Sequence, residues 1–287
     1  MNPAQIGFFV ALAVISLLMA LTWIRAARRG PESNRPRFGP MAVGALTSFL
    51  DTLGIGSFAP TTALFKLFHL VEDELIPGTL NVGLAASGIA EAAYFVKRIE
   101  IDPALLAATI ASAVLGAWLG AGVVSRLPRR SIQIGMGIAL LIAAAVFASQ
   151  ILGILPGGGD ALTLTGWRFA VAVAVNFVLG ALMTLGIGLY APCMILLSLL
   201  GMHTLAAFPI MMGACALLQP VAGIRFLTTR RMDFSASLSM TLTGLFGVAL
   251  AVPIIGKLPL WELRLLVISV VGYAAIAMLR SAARERR

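Results

Sequence analysis

The chain has 287 residues, of which 60% are hydrophobic and only 11% charged, and its mean hydropathy is +0.98. Soluble domains are about 45–50% apolar and about 25% charged, so this composition excludes an ordinary soluble protein. The apolar runs are continuous rather than alternating, which excludes a membrane β-barrel. The net charge of +9 comes from basic residues in short loops and at the C-terminus, a distribution typical of a membrane protein rather than of a nucleic-acid-binding one.

Apolar runs near 20 residues recur along the chain and predict helices that cross the roughly 30 Å hydrocarbon layer. In chain order the predicted helices cover 5–27, 38–55, a short helix 60–70, then 75–97, 103–125, 130–155, 167–186, a short helix 192–201, then 203–228, 233–256 and 261–282. Basic residues follow the first helix at Arg25, Arg28, Arg29, Arg35 and Arg37. The positive-inside rule therefore predicts an N-terminus outside the cell and a cytoplasmic C-terminus.

The sequence contains an internal repeat. Residues 52–60 read T-L-G-I-G-S-F-A-P and residues 184–192 read T-L-G-I-G-L-Y-A-P, so seven of nine positions are identical at an offset of 132. Pro77 matches Pro209 at the same offset, and Leu127-Pro128 matches Leu258-Pro259 at an offset of 131. Glycines and prolines kept in register predict a duplication. The predicted units are an N-terminal helix with a basic loop (1–37), repeat 1 (38–155), a linker (156–166), repeat 2 (167–282) and a basic cytoplasmic tail (283–287).

Two orientations of the repeats are compatible with the charges. If the short helices are re-entrant, each repeat crosses the membrane an odd number of times and the repeats are inverted. Inverted repeats place 16 basic residues inside and 5 outside, whereas parallel repeats place 15 inside and 6 outside. The positive-inside rule thus leaves both orientations open.

The repeated segment predicts a break in a helix in each repeat. Glycine costs a helix about 1 kcal/mol and proline about 3 kcal/mol relative to alanine. We expect a helix to end near Gly54 and Gly56, and a short helix to start with Pro60 at its first position. Gly186, Gly188 and Pro192 predict the same in the second repeat. Interrupted segments at matching positions of two halves indicate a transporter site.

A helix start at each break would offer free backbone N–H groups and a positive dipole end, which together bind anions. Ser57, Thr61 and Thr62 can add hydroxyl donors in the first repeat, and Tyr190 and Cys193 occupy comparable positions in the second. The alternative is that the glycines only allow close helix packing, as Gly116 and Gly120 would.

Polar residues within apolar runs are costly in lipid and usually face a cavity or another helix. Asp51 and Glu91 are candidate proton carriers, because burial favours the neutral form of a carboxyl group. Asp51 could instead hydrogen-bond the broken helix, and Glu91 could pair with a nearby Lys97, Arg98 or Arg225. The remaining candidates for contact with substrate are Asn81, Gln219 and Arg225. We expect the two cysteines to be core residues, and residues 66–74, with Lys66, His69 and three acids, to form a solvated loop.

At the two glycine–proline segments the chain resembles the TauE/SafE sulfite-exporter family, over roughly residues 38–282. The stretch F-L-D-T-L-G-I-G-S-F-A-P-T-T-A-L-F-K-L followed by L-I-P-G-T-L-N-V-G also resembles members of the family. The resemblance implies transport of sulfur-containing anions such as sulfite, sulfoacetate and other sulfonates, two inverted repeats and a homodimer. An isoleucine replaces the middle glycine of the family's fuller triple-glycine segment in both repeats, so no particular substrate is indicated.

We therefore expect an all-α polytopic inner-membrane protein, with two repeats whose broken helices meet near the midplane and an extra N-terminal helix. Its expected function is secondary transport of a small anion by alternating access, with no cofactor and with the lipid bilayer and a second copy as its other partners. An anion channel of the same architecture is the first alternative. An intramembrane enzyme is the second, although the sequence has no H-E-x-x-H pair and no nucleotide-binding G-x-x-x-x-G-K-[ST] loop.

Overall fold

A computed structural model describes residues 3–29, 35–98, 101–154, 159–186, 188–254 and 260–284. The described part is helical, apart from one isolated bridge between Ala161 and Met202. The α-helices are α1 (Pro3–Arg29), α2 (Phe38–Thr52), α3 (Phe58–Leu67), α4 (Ile76–Gly83), α5 (Ala85–Arg98), α6 (Pro103–Val124), α7 (Arg129–Ile151), α8 (Gly166–Met183), α9 (Tyr190–Leu199), α10 (Thr204–Thr229), α11 (Phe234–Ala251) and α12 (Leu260–Arg284), with a 3₁₀ turn at Val252–Ile254.

Several of these helices have the length and apolarity that a membrane span requires. Five candidate spans are present in the described residues: Gln5–Arg28, Pro103–Val124, Gly166–Met183, Ala206–Thr229 and Phe234–Ile254. A bent pair, Ile76–Gly83 and Ala85–Lys97, gives a sixth. The prediction of an all-helical membrane protein is confirmed. Three predicted stretches lie outside the described residues: 156–158 of the linker, 285–287 of the tail, and Leu258-Pro259 of the repeat match.

The predicted single helix over 75–97 is wrong, because the chain bends by 44° between α4 and α5. The carbonyl of Gly83, at the bend, accepts a hydrogen bond from the Thr241 hydroxyl of α11 at 3.2 Å. One turn later the Ser87 hydroxyl donates to the carbonyl of Leu84 at 2.9 Å. Glycine and serine favour a helix weakly, and these side-chain bonds compete with the helical pattern.

The helix pairs α2–α3 and α8–α9 each fold back on themselves as a helical hairpin. In the first hairpin, Gly39 at the start of α2 lies against the Leu70 side chain just after α3. In the second, Gly201 just after α9 lies beside the Arg168 side chain near the start of α8. Each hairpin therefore enters and leaves the helical bundle at the same end.

Glycines set the closest contacts between long helices. Gly116 of α6 lies against the carbonyl of Phe177 in α8, and Gly247 of α11 lies against the carbonyl of Ala45 in α2. Neither glycine has room for a Cβ atom without a shift of the facing backbone. Small residues allow such close approach in membrane bundles. Helix α10 runs through the middle of the bundle, because 83% of its most apolar 18-residue stretch is buried.

Residues 66–74 form only in part the solvated loop that we expected, because His69 and Glu72 are exposed but Asp73 is buried. Asp73 is 4% exposed and forms an ion pair with Lys66 at 2.5 Å. The same carboxyl oxygen accepts a hydrogen bond from Gln133 Nε2 of α7 at 2.9 Å. A buried carboxylate needs such partners, so the loop folds inward around Asp73. The loop thereby joins the end of α3 to α7.

Candidate functional site

The first helix break follows from two glycines with positive φ. Helix α2 ends in a Schellman motif, in which Ile55 N–H donates to the Leu50 carbonyl at 3.0 Å and Gly54 N–H to the Asp51 carbonyl at 2.8 Å. Gly54 has φ +90° and Gly56 has φ +91°, a conformation that other residues rarely adopt. The chain thus turns sharply before α3 begins at Phe58.

The second break repeats this backbone pattern. Gly186 has φ +93° and Gly188 has φ +69°, at the positions that match Gly54 and Gly56. Helix α9 then begins at Tyr190. The predicted breaks within 54–60 and 186–192 are therefore both present.

The prolines stand two residues further into their helices than predicted. Pro60 and Pro192 are the third residues of α3 and α9, not the first. The first intrahelical bonds come just afterwards, from Thr61 N–H to the Ser57 carbonyl at 2.9 Å and from Cys193 N–H to the Leu189 carbonyl at 3.0 Å. A third residue still has no intrahelical acceptor for its N–H, so proline is tolerated there without loss of a bond.

The two breaks meet in the interior of the bundle. A Cβ built on Gly56 would lie 3.9 Å from Cβ of Tyr190, and one built on Gly188 would lie 3.4 Å from Cβ of Phe58. Each break thus faces the first residue of the other repeat's short helix. Between them is a cavity of about 30 Å³. That volume holds about two water molecules.

Eight residues proposed from the sequence line this cavity: Asp51, Gly56, Ser57, Pro60, Gly188, Tyr190, Pro192 and Gln219. They come from both breaks and from α10. Two of them have buried polar atoms with no hydrogen-bond partner among the described residues, the Tyr190 hydroxyl and Gln219 Oε1. A buried polar atom without a partner is costly, which makes these two atoms available to a ligand.

The comparisons with known proteins bear on this site. A family model described as "Sulfite exporter TauE/SafE" matches residues 2–148, which contain the first break and half of the chain. The chain belongs to the TauE/SafE family. Searches of curated proteins and of solved structures found no match. The family resemblance inferred from the glycine–proline segments is therefore confirmed, and the chain belongs to a family of membrane transporters.

The two candidate proton carriers of this TauE/SafE member lie beside the first break. Asp51 Oδ2 accepts a hydrogen bond from the Ser57 hydroxyl at 2.6 Å. Glu91 of α5 is 1% exposed and shares a hydrogen bond of 2.8 Å with the Thr52 hydroxyl. A partner of Glu91 is thus a hydroxyl of α2, and of the basic residues considered from the sequence, Arg225 lies over Trp118 instead.

Other proposed residues lie near the cavity without lining it. The Thr61 hydroxyl donates to the Thr47 hydroxyl at 2.9 Å, and the Cys193 thiol to Asn176 Oδ1 at 3.4 Å. The Thr62 hydroxyl has no partner among the described residues and faces the second break, 3.5 Å from a Cβ built on Gly186. Gly54 faces the ring of Phe208 instead.

Two proposed residues are not brought to the cavity. Arg225 lies over the indole ring of Trp118 in α6, with its guanidinium carbon 5.7 Å from the ring centroid. This is a cation–π contact rather than a contact with the breaks. Asn81 of α4 is buried, and its amide donates to the Pro77 carbonyl one turn earlier.

The sequence reasoning missed several lining residues of the cavity. Cys215 lines it one helical turn before Gln219, a spacing that places both on one face of α10. Met183 and Leu189 line it at the positions that match Asp51 and Ser57 at the offset of 132. Because Met183 and Leu189 match two predicted site residues, the alignment of the two repeats could have predicted that they line the cavity. The described lining residues include no Lys, Arg or His, and no group of metal-binding side chains is found in the described part of the chain.

Proposed function

We propose that this TauE/SafE member is a secondary transporter of small sulfur-containing anions, such as sulfoacetate, other sulfonates or sulfite, and that the anion binds between the two breaks. The observation that carries this proposal is that the Tyr190 hydroxyl, which has no partner among the described residues, lines a cavity that both short-helix starts line. Backbone N–H groups at a helix start and a hydroxyl donor suit the oxygens of a sulfonate. Gly56 and Gly188 leave the space through which an anion approaches these donors.

The proposal includes inverted repeats and alternating access. Its support is the equivalence of contacts in the two halves. The Gly116–Phe177 contact matches the Gly247–Ala45 contact when the repeat offsets of 131 and 132 are applied. The contacts of Gly56 and Gly188 across the breaks are reciprocal in the same way. Reciprocal contacts are expected between two units that are related by a two-fold axis. A hairpin that returns to its own end of the bundle does not cross the membrane, so each repeat is left with three crossings. Because three is an odd number, the second repeat starts on the opposite side of the membrane from the first and is inverted relative to it.

The proposal also gives an orientation in the cell inner membrane. One end of the bundle contains Arg37, which pairs with Asp233 at 2.5 Å, and Arg231, which pairs with Glu74 at 3.2 Å. The start of α7, with Arg129 and Arg130, lies at this end too. By the positive-inside rule this end is cytoplasmic, which places the N-terminus outside and the C-terminus inside. A homodimer is proposed from the family resemblance.

A ligand screen on the purified protein tests the binding site. Sulfite, sulfoacetate, taurine, thiosulfate and carboxylate analogues are added in turn, and the melting temperature is recorded. A ligand that binds only the folded protein at 100 times its Kd stabilises it by about 2.7 kcal/mol. A sulfonate should raise the melting temperature, and Gly188→Val should remove that rise. If no sulfur-containing anion stabilises the protein, the proposed substrate class is wrong.

A second measurement separates a transporter from a channel of the same architecture. A channel moves an anion only down its electrochemical gradient. Proteoliposomes that accumulate the bound anion against its gradient, with a second gradient as the driving force, would therefore exclude a channel. Equilibration without accumulation under every imposed gradient would favour the channel.

A further inference from the structure

The two buried carboxyl groups beside the first break differ in their hydrogen bonds. The Asp51 Oδ2 atom accepts a hydrogen bond from the Ser57 hydroxyl at 2.6 Å. A carboxyl oxygen that accepts a hydrogen bond has the surroundings of an ionised group, because an ionised carboxylate can only accept. Ser57 is the residue just before α3. The Asp51 carboxylate therefore occupies a donor at the start of α3 that a substrate anion would use.

Glu91 has the opposite arrangement. The Thr52 hydroxyl oxygen is 2.8 Å from Glu91 Oε1 and also 2.8 Å from the Ser48 carbonyl oxygen. A hydroxyl has one hydrogen, and a carbonyl can only accept. A threonine hydroxyl within a helix can donate to the carbonyl four residues earlier, which here is that of Ser48. Thr52 can donate to a Glu91 carboxylate only by giving up that bond, whereas a protonated Glu91 can donate to Thr52 and keep both bonds, which favours Glu91 as the neutral member of the pair.

An anion that entered the cavity would meet the Asp51 carboxylate with no Lys, Arg or His among the described lining residues to compensate it. The described titratable groups that face Asp51 are Glu91 of α5, Tyr190 of α9 and Cys215 of α10. Helix α11, which packs along α2, has no ionisable side chain within its bounds. Lys66 at the far end of α3 is paired with Asp73. Two negative charges in contact inside a protein repel strongly.

We propose that the anion binds together with a proton: it replaces Asp51 at the start of α3 once the Asp51 carboxyl is protonated. This inference rests on the proposed function, and it names the coupling ion of that same site. The proton comes from solution and stays on Asp51 while the anion takes the Ser57 donor. A monovalent sulfonate then crosses with one proton and no net charge. A pH gradient drives this transport, and the membrane potential does not.

The test measures binding of methanesulfonate, whose single charge does not change between pH 5 and 9. With the wild-type protein, Kd should rise about tenfold per pH unit once free Asp51 is ionised, and about one proton should be taken up per anion bound. Asp51→Asn mimics the protonated acid, so its Kd should be independent of pH and its proton uptake absent. Glu91→Gln keeps a donor toward Thr52 and should retain the pH dependence. Asp160→Asn, an exposed acid in the linker, is the matched control.

Each outcome decides between the proposals. Binding by wild type without proton uptake would overturn the coupling and leave the anion site intact. Loss of pH dependence in Glu91→Gln but not in Asp51→Asn would show that the coupled proton binds Glu91 and not Asp51, which would overturn this inference. Tighter binding of taurine without proton uptake, lost in Asp51→Asn, would make Asp51 a ligand for an ammonium group. If methanesulfonate and the other anions of the screen bind at no pH, the proposed function and this inference fail together.

Discussion

Tyr190 and Phe58 are the first residues of α9 and α3 and match each other at the repeat offset. Both line the cavity, but only Tyr190 has a hydroxyl group, and that hydroxyl has no partner among the described residues. The same asymmetry recurs at Asp51 and Met183. The first repeat supplies the acid and the second supplies the aromatic donor. Single side chains therefore distinguish the two halves of the site, although the backbone pattern of the breaks is shared.

Replacing Tyr190 with phenylalanine tests whether its hydroxyl serves the ligand. A hydrogen bond to a charged group contributes about 1.5–3 kcal/mol, so Kd for a sulfonate should rise roughly 10- to 150-fold. The melting temperature without ligand should stay the same or rise, because an unpartnered buried group is removed. Tyr273→Phe, at a residue 59% exposed, is the control. A fall in stability with unchanged affinity would instead give Tyr190 a structural role.

Gly56 and Gly188 should tolerate substitution less well than the nearby hydroxyl residues. A valine at either position is strained by the positive φ, at roughly 1–3 kcal/mol, and points at the opposite short helix. We expect Gly56→Val and Gly188→Val to lose sulfonate binding, measured by thermal shift, in the fraction that still folds. Thr61→Ala and Thr62→Ala should weaken binding only modestly, since the backbone donors remain.

The control for the glycine variants is Gly7→Val, because a Cβ at Gly7 meets nothing within 4 Å. It should keep both fold and affinity. Folded Gly56→Val and Gly188→Val proteins that bind like the wild type would show that the anion does not lie at the breaks.

At the scale of elements, the two repeats use one plan with a local difference. The continuous α10 contains Pro209 and Pro220, whereas its counterpart in the first repeat is bent into α4 and α5. The bend depends on Thr241 of α11, which bonds the Gly83 carbonyl. A tertiary contact thus decides whether this span is straight, and propensity alone would have placed the interruption at the prolines of α10.

The glycine contacts between long helices give a prediction of their own. Gly116→Ala and Gly247→Ala each place a methyl group against a facing carbonyl, so the helices must separate. Overpacking of this kind costs about 1–3 kcal/mol, and both variants should melt at a lower temperature in detergent. Gly135→Ala is the control, because its methyl group would lie an ordinary 3.5 Å from Leu185. Equal stability of all three variants would contradict the close packing of α6 on α8 and of α2 on α11.

At the scale of the whole molecule, the hairpins make the orientation of the repeats measurable. In a variant with Cys193→Ser and Cys215→Ser, single cysteines are placed at Glu72, beside the first hairpin, and at Leu162, before the second. Inverted repeats put these two positions on opposite faces of the membrane. A membrane-impermeant maleimide should then label Leu162→Cys from outside and Glu72→Cys only from inside. Labelling of both from the same side would indicate parallel repeats.

The sequence by itself determined the membrane class and the position of both breaks, but not the bend that divides the predicted helix 75–97 into α4 and α5. These features depend on local chemistry: apolar runs must be helical in lipid, and two glycines before a proline interrupt a helix. The family followed from the same glycine–proline segments. The register of the repeat also contained the information that Met183 and Leu189 share the cavity with Asp51 and Ser57.

Only the tertiary structure decided which polar residues meet. Arg225 and Asn81 stood out in apolar runs as Asp51 did, yet they pack elsewhere, because close contacts between helices and their neighbours, such as Gly78 of α4 with the Arg231 carbonyl, restrict the rotation of each helix about its axis. Cys215 reached the cavity for the same reason. Charge counts could not choose between inverted and parallel repeats, since the two orientations give nearly the same totals, 16 inside and 5 outside against 15 and 6. The folding back of α2–α3 and α8–α9, a long-range feature, supplies the geometry on which the proposal of inverted repeats rests.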